Sequence, residues 1–178
     1  MQDTAVRAVV SLEDLGDVLI CGLPGLVIAQ DGQAYLDPEH ADLTNDYLKA
    51  HGVVRLYLLM EDLELPPETK NVLEKSAKAK GIELEWMPIV DYGRPDAEFE
   101  QIWKPNRTRR ASILENNESI GVACLYGAGR SGMMAAAISA ECGIAPRKAV
   151  RYVRRFYAEA VGSKTQEDWV ASGRYLAH

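Results

Sequence analysis

Ile120-Gly121-Val122-Ala123-Cys124-Leu125-Tyr126-Gly127-Ala128-Gly129-Arg130-Ser131-Gly132 runs directly into Met133-Met134-Ala135-Ala136-Ala137-Ile138, and the reading of the chain starts from this stretch. The lead-in is short and apolar, the pattern of a buried strand, and the run that follows favours a helix. Glycines and an arginine–serine pair fill the turn between them. The order is therefore strand, tight loop, helix N-terminus, with a thiol where the strand ends. Backbone N–H groups in such a loop, and at such a helix end, are suited to hold an anion.

Hydrolysis of a phosphate monoester through a covalent intermediate needs four things that this stretch can supply. Cys124 is a nucleophile facing a helix N-terminus, where amide dipoles favour the thiolate. The amides of Leu125, Tyr126, Gly127, Ala128, Gly129 and Arg130 can line a ring around phosphoryl oxygens, with Gly127 and Gly129 supplying backbone freedom. Arg130 can hold two equatorial oxygens bidentately, a geometry that lysine cannot reproduce. Ser131 places a hydroxyl beside the sulfur, where it can ease departure of the thiolate in the second step.

Gly127 to Gly132 also satisfies Gly-x-Gly-x-x-Gly, the fingerprint of a dinucleotide-binding turn. That motif wants a second strand ending in an acidic residue about 20 positions on. The chain carries the basic stretch Arg151-Tyr152-Val153-Arg154 there instead. A phosphate loop of the Gly-Lys-Ser/Thr kind is excluded because the lysine is missing.

Cys-x5-Arg-Ser is the signature of the protein tyrosine phosphatase superfamily, and this chain resembles its dual-specificity branch. The likeness extends over most of the chain. It takes in Leu23-Pro24-Gly25, Pro88-Ile89-Val90-Asp91-Tyr92-Gly93-Arg94-Pro95-Asp96, the signature loop and Gln166. The resemblance implies a phosphorylated protein or peptide as substrate and no cofactor or metal. It implies that Asp91 protonates the leaving oxygen and then deprotonates the attacking water, while Gln166 positions that water. One departure stands out. The family usually has histidine before the nucleophile, buttressing the loop, and this chain has Ala123. The helix terminus, the loop amides and Arg130 are left to stabilise the thiolate.

Two alternatives stay open. The same chemistry can act on a phosphoinositide or inositol phosphate, although the neutral Leu125 and Ala128 lean against a polyanion. A catalytically weak module that only binds phosphorylated residues is the other; Ala123 favours it, while the intact Cys124, Arg130 and Asp91 oppose it.

At 178 residues, the chain suits one phosphatase domain spanning 1–178, with about residues 1–11 expected to be disordered. A net charge of -6 argues against nucleic acid or an acidic membrane as partner. Three scattered cysteines and no apolar leader point to a reducing, cytoplasmic setting. Cys21 and Cys142 lie in apolar segments and are expected in the core. The three histidines are too dispersed for a metal site.

Strands are expected at residues 18–21, 53–60, 82–87 and 119–124, with 26–28 a candidate partner of the first. Helices are expected near 39–50, 67–81, 96–103, 107–116, 133–142, 146–159 and 165–176. Their inward faces include Leu43, Ile102, Phe156 and Tyr157, and Asp96 reads as an N-cap. The alternation predicts an α/β fold, a central mostly parallel sheet flanked by helices. The basic positions Lys104, Arg107, Arg109, Arg110 and those from Arg147 to Arg155 read as solvated helix faces, or as a ring of charge around the pocket.

Overall fold

A five-stranded sheet forms the centre of the computed structural model, which describes residues 3–177. Its strands are β1 (Val6–Val10), β2 (Val18–Gly22), β5 (Val53–Leu58), β6 (Glu83–Trp86) and β7 (Ser119–Cys124), in the order β1-β2-β7-β5-β6. β1 is antiparallel to β2, and every other pairing is parallel. The mostly parallel sheet predicted by the alternation is present. All residues of β2 and β7 are buried, as expected for strands covered on both faces.

Helices α1 (Pro38–Ala50) and α2 (Thr69–Lys80) pack against each other and against β5 and β6. Helix α5 (Gly129–Glu141) lies on β2 and β7, with α6 (Pro146–Arg154) and α7 (Lys164–Ser172) against it. It is buried from Arg130 through Ala140, so its apolar character all round matches a central position. Between β6 and β7 run α3 (Ala97–Trp103) and α4 (Arg107–Glu115). Asp96 caps α3, its Oδ1 accepting from the Phe99 amide at 2.8 Å.

Several expectations need correcting. Residues 6–10 are not disordered: they form edge strand β1, while residues 1 and 2 lie outside the described residues. Residues 26–28 do not pair with β2. They form β3 (Leu26–Ile28), which pairs antiparallel with β4 (Ala34–Leu36) in a separate two-stranded sheet. Leu43 and Ile102 are exposed, because the buried faces of their helices are formed by Ala41, Thr44, Asn45 and Leu48 and by Phe99, Glu100 and Trp103. Helix α6 stops at Arg154 and not near residue 159. Arg154 turns back to hold the Ala160 carbonyl (2.9 Å) and the Val161 carbonyl (3.0 Å), so Phe156 lies outside the helix and is exposed. α7 ends at Gly173, whose φ of 62° breaks the expected helix before a short 3₁₀ turn.

The four parallel strands end at one edge. The loops after β2, β5, β6 and β7 therefore gather there, the usual place for a ligand in an open α/β sheet.

Candidate active site

Cys124 is the last residue of β7, paired with Gly22 at the end of β2. The chain then turns through residues 125–128 into α5. Gly127 has φ 80°, and a Cβ there would lie 2.5 Å from the Gly22 nitrogen, so only glycine fits. The need at Gly129 is different from the backbone freedom expected of it. It is helical, and a Cβ would stand 3.3 Å from Gln166 Oε1.

The loop's carbonyls are turned outward and held. The Leu125 carbonyl accepts from the Leu23 amide at 3.2 Å, and that of Ala128 from Gly132 at 2.9 Å and Val161 at 3.2 Å. The Tyr126 carbonyl accepts from Arg7 Nε at 3.0 Å. None of the amides from Leu125 to Ser131 donates to a protein acceptor among the described residues. A loop with these three carbonyls occupied and its N–H groups unoccupied is able to hold an oxyanion.

Cys124 sits at the base of this ring and is 4% exposed. Its Sγ is 3.2 Å from Ser131 Oγ, so the predicted sulfur–hydroxyl pair is formed. Arg130, 2% exposed, is fixed by Glu64. Its Nη1 reaches Glu64 Oε2 at 2.7 Å and the Ile89 carbonyl at 2.9 Å, and its Nη2 reaches Glu64 Oε1 at 2.6 Å. This bond pattern uses the end of the guanidinium. Nε is buried without a partner, so the side edge, made of Nε–H and the second Nη2–H, remains for an anion.

Burial alone would raise the Glu64 pKa. The Arg130 hydrogen bond and the Glu61 amide at 2.7 Å outweigh it and hold the carboxyl below its ordinary range. Burial likewise opposes the charge on Arg130, yet Glu64 keeps its pKa above the ordinary arginine value.

Asp91 lies in the loop after β6, with Oδ1 3.5 Å from Arg130 Nη2 and its carboxyl exposed. The start of α7 ties this loop down. Ser163 Oγ donates to the Tyr92 carbonyl at 2.8 Å, and Gln166 Nε2 to the Gly93 carbonyl at 3.1 Å. Gln166 is 1% exposed, and its Oε1 accepts from the Gly162 amide at 2.8 Å. The structure thus brings Cys124, Ser131, Arg130 and Asp91 together, and sets Gln166 one layer back, between the signature loop and the loop of Asp91.

Sequence reading missed Glu64, Arg7 and Ser163. Glu64 left a trace, an acidic residue just beyond a buried strand. Ser163 left another, a serine opening a helix, and it does cap α7. Arg7 left none. Two arginines offered as pocket charges are elsewhere: Arg110 is buried against Glu141, and Arg109 pairs with Glu83 at the far end of β6. Burial pushes the Cys21 thiol far above the ordinary cysteine range, against the opposing charge of Arg7, and pushes Cys142 up to about 11. Cys21 lies in the core as expected, whereas Cys142 is only half-buried against its edge.

No group of three or more His, Cys, Asp and Glu residues among the described residues is arranged to hold a metal ion. No helix among them is long and apolar enough to cross a membrane.

No protein-family model matches the chain, and no curated protein does. Solved structures do match. Kinase-associated phosphatase, with its catalytic cysteine replaced by serine, is 20% identical over 99% of this chain and 99% of its own, with a TM-score of 0.73. Tk-PTP in its active form is 22% identical over 94% and 96%, at 0.63. PTPMT1 in complex with PI(5)P is 17% identical over 88% of each chain, at 0.61. The chain has the cysteine-phosphatase fold of dual-specificity type.

Proposed function

We propose that this chain is a cysteine-dependent phosphatase that hydrolyses phosphotyrosine, phosphoserine or phosphothreonine in proteins. One observation carries the reading: seven consecutive amides, Leu125 to Ser131, stand without protein acceptors around Cys124, beside an unpartnered guanidinium Nε of Arg130. Buried N–H groups left unmatched are costly, and a tetrahedral oxyanion satisfies them together.

In the first step Cys124 Sγ attacks phosphorus, and the bond to the ester oxygen breaks. Asp91, protonated, gives its proton to the leaving oxygen. The loop amides and the side edge of Arg130 hold the three equatorial oxygens as charge spreads over them. In the second step water attacks the cysteinyl-phosphate, Asp91 takes a proton from it, and the S–P bond breaks. Ser131 then donates to the departing thiolate. Gln166, bound to the Gly93 carbonyl, holds the loop of Asp91 in register with the cradle and has one amide hydrogen left for the water.

The surroundings favour a protein substrate over a polyphosphate. The loops bearing Glu64, Asp91 and the signature present Leu63, Val90, Tyr92 and Tyr126 as exposed apolar side chains. The signature loop has no lysine. Three free cysteines, one of them the nucleophile, suit a reducing compartment such as the cytoplasm.

Turnover of para-nitrophenyl phosphate tests the chemistry. Wild type should turn over and Cys124→Ser should fall to background. A wild-type protein that binds oxyanions without turnover is a binding module. Ranking phosphopeptides, phosphoinositides and inositol phosphates by kcat/KM tests the substrate class, and a phosphoinositide ranking first would overturn it.

A further inference from the structure

We propose that Arg7 is the positioning residue that keeps the signature loop in its anion-binding form, in the absence of a histidine at position 123. This rests on the phosphatase reading above and adds a residue from the opposite end of the chain. The loop can receive an anion only while its carbonyls face outward. Three partners from outside the loop and its helix hold them there: the Leu23 amide, the Val161 amide and Arg7 Nε. Arg7 alone does so through a side chain, and its target, the Tyr126 carbonyl, lies in the middle of the turn. Ala123 is fully buried and offers no side-chain donor.

Three further features point the same way. The register between β1 and β2 shifts between Val6, paired with Cys21, and Ala8, paired with Ile20. Arg7 is the extra residue of this bulge, and bulges re-aim side chains beside functional sites. The route of the side chain is clear of obstruction. A Cβ at Gly127 would come within 3.0 Å of Arg7 Cγ, and one at Gly22 within 3.5 Å of Arg7 Nη2 and 3.4 Å of the Tyr126 carbonyl. Glycine at 127 lets the arginine lie across the back of the loop, and a Cβ at position 22 would only touch it. Finally, Arg7 forms no ion pair with a carboxylate among the described residues, so no carboxylate competes for its donors.

The consequence is mechanical. With the Tyr126 carbonyl released, the peptide between Tyr126 and Gly127 can rotate, and the Gly127 amide leaves the ring. A hydrogen bond from a charged donor is worth roughly tenfold or somewhat more in an equilibrium. The stem of Arg7 also packs on Gly127, so the test must separate packing from donation. Arg7→Met keeps the stem and loses the donor, and Arg7→Lys keeps charge and one donor.

Tungstate, a tetrahedral oxyanion, is titrated calorimetrically into the full-length wild type and both variants, with thermal unfolding followed in parallel. The Kd for tungstate should rise about tenfold in Arg7→Met, with a matching fall in kcat/KM for para-nitrophenyl phosphate. Arg7→Lys should return within about threefold of wild type, and the unfolding midpoint should be the same in all three. A Kd in Arg7→Met within twofold of wild type would overturn the proposal while leaving the phosphatase reading intact. So would a lowered midpoint with unchanged tungstate affinity, which would mean that Arg7 merely holds β1 in place. A wild type that neither binds tungstate nor turns over substrate would overturn both.

Discussion

Two arginine–glutamate pairs, Arg110–Glu141 and Arg130–Glu64, both join a buried guanidinium to a carboxylate bidentately, yet they leave the guanidinium in opposite conditions. Arg110 uses its side edge: Nε reaches Glu141 Oε2 at 2.9 Å, and Nη2 reaches Glu141 Oε1 at 2.7 Å and the Trp103 carbonyl at 3.0 Å. Its flat face lies 3.6 Å from the centre of the Trp103 ring. Glu141 also accepts from Trp103 Nε1 at 2.9 Å, and Nη1 is the one Arg110 guanidinium nitrogen without a partner among the described residues. Arg130 presents its end to Glu64 and keeps Nε on its side edge without a partner, with the Asp91 carboxyl 3.5 Å from Nη2. The edge that the carboxylate takes decides whether the arginine is a core residue or an anion receptor. The residue types are the same in both, and both guanidinium groups are buried, although Glu64 is more open to solvent than Glu141.

The comparison is broken most severely at Arg130. Arg130→Lys keeps the charge but cannot present two donors in one plane, and an arginine holding a transferring phosphoryl group is worth roughly 10³–10⁵ in rate. We expect kcat for para-nitrophenyl phosphate to fall by at least about 10³-fold, with the far-ultraviolet circular dichroism unchanged. A fall of less than tenfold would mean that the side edge does not face the substrate.

At Arg110 the balance reverses. Arg110→Met leaves Glu141 buried with only Trp103 Nε1, and removing one partner of such a pair costs about 3–5 kcal/mol of stability. Urea unfolding should show that loss, while kcat per folded molecule stays at the wild-type level. Adding Glu141→Leu should recover much of it, since an apolar replacement of a whole buried pair is often neutral. If the double variant is no more stable than Arg110→Met, the pair is not acting as a unit.

The same contrast shows where sequence reading succeeded. Arg130 is readable because its function is local: thiol, glycines, arginine and serine all lie within one turn, and spacing determines their geometry. Arg110 looks like its neighbour Arg109 in the sequence, a basic position on a short helix. Only the tertiary fold, which packs α4 on β7, brings Glu141 at the end of α5 against it. Helix and strand positions were legible from periodicity, because β2, β7 and α5 are buried all round and apolar all round. The pairing of β3 was not, since three apolar residues after a turn fit either neighbour equally. The order of β1 was not legible either. Its role comes from a bulge and from contacts with residues more than a hundred positions away, which leave no periodic trace. Ser163 and Gln166 explain why Asp91 can be placed, but their partners are the backbone carbonyls of Tyr92 and Gly93, and a carbonyl has no signature in a sequence.

Glu64 offers the mildest way to sharpen the comparison, because it can be changed without touching the anion-facing edge of Arg130. Its pKa is depressed in the folded protein, against burial, by Arg130 and the Glu61 amide. A carboxyl depressed on folding contributes stability that is complete above its unfolded pKa, about 4.3, and is lost as pH falls through the lower folded value. Glu64→Gln abolishes that titration. The variant should be somewhat less stable than wild type at pH 7, and the two unfolding curves should converge on acidification from pH 5 to pH 3. Catalysis should suffer only a few-fold, since glutamine can still accept one hydrogen bond from Arg130 and the loop amides are untouched. A gap in stability that stays constant down to pH 3 would show that the Glu64 carboxylate is not what holds Arg130 in place.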